Sequence, residues 1–130
     1  MEEYCNAFQK TVGEYLVRHR SILDTITKYQ ESCSRVNRAI AKSVTTCGCI
    51  SVSAAKQELP ASMRIEDFKA SVSTHLKGEL CDTCRDIVST ELGNNIFYVA
   101  AICELLGLEM HEVINSERDR LSTLGYFKMR

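Results

Sequence analysis

The chain has no tryptophan and only one proline, Pro60, in 130 residues. So few helix breakers favour long helical stretches. It also lacks a long apolar run, and none of its hydrophobic stretches approaches the roughly 20 residues that span a bilayer. No membrane partner is therefore expected. Excess charge of one sign is missing as well: 16 Lys and Arg stand against 17 Asp and Glu, for a formal net charge of −1. No stretch gathers lysine or arginine onto a single face, so the footprint of a nucleic-acid binder is not expected. There is no glycine-rich phosphate loop, no Ser/His/Asp arrangement and no internal repeat. The start, Met1-Glu2-Glu3-Tyr4, lacks the basic and apolar regions of a secretory signal. These absences predict a cytoplasmic protein. With 45% hydrophobic residues, the chain can form one helical domain over 1–130 with a real core.

What the sequence does have is cysteine. Four of its seven cysteines form two tight pairs, Cys47-Gly48-Cys49 and Cys81-Asp82-Thr83-Cys84. Thiolates one or two residues apart can face one cation, and two such pairs supply the four soft ligands of a closed tetrahedral site. Gly48 lets the backbone turn between the first two thiolates. The expectation is a structural zinc held by Cys47, Cys49, Cys81 and Cys84, with an iron–sulfur cluster as the second choice. Two other readings stay open: a thiol redox pair at Cys81 and Cys84, which leaves Cys47 and Cys49 unexplained, and structural disulfides, which an odd cysteine count disfavours. His75 is a spare candidate ligand. Cys33 and Cys103 sit among apolar residues at helical spacing and read as core, as does Cys5. His19 and His111 read as exposed helix positions.

Periodicity outlines the elements. Tyr4, Phe8, Val12, Tyr15 and Leu16 mark a helix over roughly 3–19. Ser21 followed by Asp24 suggests an N-cap and a first-turn acid. Ile22, Ile26, Tyr29, Cys33, Val36, Ile40 and Val44 then continue as one long helix to the first cysteine pair. Ile50-Ser51-Val52-Ser53 alternates like a very short strand. Ile65, Phe68, Val72 and Leu76 predict a short extra helix stopped by Gly78. A long apolar helix from the second cysteine pair ends at Gly107, and a last helix carries Met110, Val113, Ile114 and Leu121. The expected fold is all-α. It has four main helices, one short one, an irregular metal-associated insertion at about 47–84, and a metal joining the second helix to the third. Glu79, Asp82 and Asp86, spaced by three and four, suggest an acidic stripe at a helix start, a place that favours carboxylates without any ligand.

The run Glu91-Leu92-Gly93-Asn94-Asn95-Ile96-Phe97-Tyr98, with its apolar continuation to Leu105-Leu106-Gly107-Leu108, resembles the third helix of the MazG-like all-α nucleoside triphosphate pyrophosphohydrolases. The tail, from His111-Glu112-Val113-Ile114 to Leu124-Gly125-Tyr126-Phe127, resembles that family's fourth helix and exit. The resemblance implies a MazG-like helical bundle, homo-oligomeric, in which Glu-x-x-Glu and Glu-x-x-Asp motifs gather Mg²⁺ against a triphosphate. The metal would activate water and release pyrophosphate. Carried onto this chain, the third-helix motif becomes Glu91 and Asn94, and the second-helix positions become Ser32 and Arg35, with Glu31 one residue off. One acid in four is retained. The resemblance thus points first to a catalytically degenerate binding or regulatory module that could hold a nucleotide or phosphate near Arg35 and Asn94. The alternatives are an active Mg²⁺-dependent hydrolase with relocated ligands and a redox protein working through Cys81 and Cys84.

Overall fold

A computed structural model describes residues 1–16, 20–58, 61 and 72–124. Among these, four α-helices carry the fold: α1 Glu2–Tyr15, α2 Ile22–Lys42, α3 Asp82–Leu106 and α4 Met110–Leu124. A π-helical turn, Ser43–Cys47, extends α2. Two three-residue strands, β1 Ile50–Val52 and β2 Leu76–Gly78, pair antiparallel with Ile50 opposite Gly78 and Val52 opposite Leu76. The all-α expectation holds, and the short alternation at Ile50 is a real strand.

Helix α2 packs along α3, and the reason lies in one row of residues on α2 and the turn that extends it. Thr25, Ser32 and Ser43 are fully buried, although all three carry hydroxyls. Each turns its hydroxyl back onto its own helix: Thr25 donates to the Ser21 carbonyl, Ser32 to Tyr29 and Ser43 to Ala39, at 2.9, 2.6 and 3.0 Å. Satisfied in this way, a small polar side chain can be buried at little cost. From α3, Asn95 donates to Ser32 Oγ at 3.0 Å and reaches Cys33 Sγ at 3.3 Å. Cys33 is therefore a half-buried thiol in a polar contact, where the sequence suggested apolar core.

The apolar core lies at the other end of α3. Val12 and Leu16 from α1 meet Ala100 and Ala101, with Phe97, Leu105 and Met110 packed against them. Small alanines on α3 let α1 come close. Buried Gln9 ties three helices together here: its amide donates to Leu108 O at 2.8 Å and Glu104 Oε2 at 3.1 Å, and its carbonyl accepts from Met110 N at 2.8 Å. Cys103 is buried close by, as expected, and burial pushes its thiol pKa up. Cys5 is only half-buried.

Four sequence expectations need correction. The first helix stops at Tyr15, with Leu16 as its cap, and residues 17–19, including His19, lie outside the described residues. Ser21 does cap α2 in position, but its hydroxyl makes no capping bond. The short helix ending at Leu76 is not present at that end: Val72 is in a bend and Leu76 opens β2, while residues 62–71 are not described. His75 explains the switch, because its φ of 61° breaks any helical run there. His111 is half-buried, with Nδ1 2.9 Å from Asn6 Oδ1 and Nε2 3.5 Å from Glu2.

Replacing Gln9 by Ala strips partners from Leu108 O and Met110 N at a buried junction. We expect a loss of about 2–3 kcal/mol, read as a fall of several degrees in thermal midpoint with the helical spectrum retained.

Candidate metal centre and the adjoining groove

The two cysteine pairs converge. The Sγ atoms of Cys47, Cys49, Cys81 and Cys84 all lie within 4.8 Å of one another, and Cys47 Sγ is 3.8 Å from Cys81 Sγ. Tetrahedral coordination with metal–sulfur bonds of about 2.3 Å requires sulfurs about 3.8 Å apart. The donor set therefore fits one tetrahedral ion. A multi-iron cluster would place the thiolates on different irons and spread them more widely. None of the seven cysteines forms a disulfide. His75 is outside the cluster, with its Nε2 3.2 Å from the Gln57 amide nitrogen.

Each cysteine is placed by local structure. The π turn carries Cys47 around the end of α2, and Gly48, at φ 78°, donates back to the Ser43 carbonyl at 2.9 Å. Cys49 then enters β1, and the Ile50–Gly78 pairing fixes it. Gly78 has no room for a side chain: a Cβ there would fall 2.6 Å from the Cys49 carbonyl oxygen. Cys81 caps α3, its sulfur accepting the Cys84 N–H at 3.4 Å. A helix N-terminus favours a thiolate. That backbone bond is the leading reason the Cys81 pKa falls to about 7. Cys84, buried one turn in, is pushed up to about 12: the Ser43 hydroxyl pulls it down, but its thiol neighbours, Cys81 first, and burial outweigh that pull. The first thiolate formed resists the others, and a dication reverses this logic for all four.

Asp82 and Asp86 lie in the first turns of α3, where the helix start favours carboxylates, while Glu79 precedes the helix; the cysteines are the only metal-ligand group found among the described residues.

Beside the cysteine cluster runs the groove between α2 and α3. Ser32, Arg35, Glu91 and Asn94, the four positions singled out by the resemblance, all line one cleft of about 370 Å³ together with Glu31, Lys28, Thr90 and Tyr98. Arg35 grips Glu91 in a fork, Nε to Oε2 at 2.8 Å and Nη2 to Oε1 at 3.3 Å. The Arg35 side chain is 58% exposed and that of Glu91 16%, so Arg35 covers Glu91 from the solvent side. Hydrogen bonding to Glu91, then its charge, raises the arginine pKa further. Lys28 meets Glu31 one turn along α2 through a single exposed contact at 3.2 Å. The groove also corrects the charge reading: Lys28, Arg35, Arg38 and Lys42 do share its α2 edge, at spacings of seven, three and four.

No helix among the described residues is long and apolar enough to cross a membrane. If the four cysteines hold a metal, its removal should loosen their corner before the distant core. Hydrogen exchange is expected to rise at 43–52 and 76–88 on chelation while 97–105 stays protected. Gly78→Ala should lower metal affinity by about 10–100-fold, whereas Gly93→Ala, with nothing within 4 Å of its Cβ, should leave it unchanged. Competition titration with a chromophoric chelator reads both. No protein-family model, curated protein or solved structure matches the chain.

Proposed function

We propose that this chain is a zinc-stapled, MazG-like helical module that has given up hydrolysis and serves binding or regulation. The observation that supports this most is the Arg35–Glu91 fork. A magnesium site needs carboxylate oxygens free to take a hard cation. Here Glu91, the acid the resemblance retains, is occupied by a guanidinium, Asn94 brings no charge, and the remaining nearby acid, Glu31, is held by Lys28. Positive charge stands where catalysis would need negative charge. A nucleotide or phosphate ligand near Arg35 and Asn94 suits that charge better than a metal does. Zinc is the preferred occupant of the four cysteines because a closed tetrathiolate site suits a structural ion without redox change.

An active hydrolase using Mg²⁺ is the second reading, since the four positions of the resemblance do border a common cleft. The redox reading through Cys81 and Cys84 is weaker, because Cys47 and Cys49 crowd the same point. We also propose self-association through the apolar face of α4. None of its residues is buried, and Val113, Ile114, Leu121 and Leu124 face solvent.

Zinc-loaded protein with added Mg²⁺ or Mn²⁺ should release no pyrophosphate from any of a panel of nucleoside triphosphates. Release that vanishes in Glu91→Gln would establish the hydrolase instead. Light scattering should report a dimer or larger; a monomer removes the self-association proposal.

A further inference from the structure

Two cations of the groove remain after its ion pairs are counted. Lys28 is matched to Glu31 and Arg35 to Glu91, but Arg38 and Lys42 have no carboxylate partner among the described residues. They stand four residues apart on α2, a spacing at which like charges repel. Both border a second cleft of about 380 Å³, together with Arg35, Ala39, Ile87 and Glu91. Ala39 lies between the two cations in sequence and leaves space where a larger side chain would fill the groove. The opposite wall supplies Ile87 and the already neutralised Glu91, so nothing across the cleft cancels the charge. Arg35 and Glu91 border the neighbouring cleft too, which makes the two hollows one trough running on to Asn94 and Tyr98.

We propose that Arg38 and Lys42, steadied by Arg35, form a phosphoanion site that works without a divalent cation, the side chains supplying the charge that Mg²⁺ would otherwise bring. A guanidinium offers a planar fork of donors to phosphate oxygens and an ammonium a compact point charge, so the pair suits two linked phosphoryl groups better than one. The ligand class is a compound carrying a diphosphate, inorganic or organic. The proposal rests on the non-hydrolytic reading above, which it deepens by locating the anion and removing the metal from its recognition.

The test is calorimetric titration of inorganic pyrophosphate into the zinc-loaded full-length chain, in buffer freed of other divalent cations. Saturable binding is expected, weakened about tenfold or more in Arg38→Gln/Lys42→Gln. Lys77→Gln on β2, away from the groove, should bind as the parent does. Both groove substitutions are at exposed positions. Retained zinc and helical circular dichroism qualify the double variant, and the single variants replace it should it misfold. Absence of saturable binding, equal affinity in the variants, or binding that appears only when Mg²⁺ is added overturns the proposal. A nucleoside diphosphate titrated in parallel separates the sources: binding tenfold tighter than pyrophosphate identifies an organic ligand reaching toward Tyr98, and equal binding identifies the inorganic anion. Nucleotide hydrolysis with Mg²⁺ would overturn the non-hydrolytic reading while leaving the pyrophosphate titration to be judged by itself.

Discussion

Four sulfurs held within 4.8 Å of one another cannot all be ionised unless a cation lies among them. Much of the molecule's design at this corner follows from that electrostatic requirement. The π turn brings Cys47, the left-handed Gly48 and the two short strands bring Cys49, and the cap and first turn of α3 bring Cys81 and Cys84 to a common point. None of these devices buries much apolar surface, and the largest apolar cluster sits at the far end of α3. The chain thus has two separate clusters on one helix, four cysteines at its start and an apolar one near its end. Between them, α2 is held by hydroxyl-bearing residues that satisfy themselves.

The cysteine centre was legible because ligand spacing is a local property: one and two intervening residues make a pair wherever the chain later goes. The long helices were legible for the same reason, their 3.6-residue periodicity being written along the sequence. Strand β2 was not. Ile65, Phe68, Val72 and Leu76 have helical spacing, but the pairing of Leu76 with Val52 across the insertion decides its conformation, and the positive φ of His75 leaves no pattern in hydrophobicity. Gln9 was equally silent, since a glutamine among apolar positions reads as a surface residue until its partners at the α3–α4 junction are known.

The charged edge of α2 shows a different kind of illegibility. Residues 28, 31, 35, 38 and 42 follow a strict three-and-four rhythm, so the stripe was present in the sequence, but searching for contiguous basic runs passes over it. What no sequence pattern could supply is the pairing across helices. The Arg35–Glu91 contact adds one cross-helix pair to the i,i+3 pair of Lys28 and Glu31, and Arg38 and Lys42 are the uncompensated remainder among the described residues. In the groove, the electrostatic sign follows from which partners meet, while composition alone balances to nearly nothing.

The four thiols are not equally reachable: Cys47 is exposed, Cys49 and Cys81 are half-buried, and Cys84 is buried. Any reagent that reacts with thiols therefore meets the cluster from the Cys47 side and reaches Cys84 last. An ion held there would be open to an external thiol on that one side, while the sulfur beneath α3 would stay shielded.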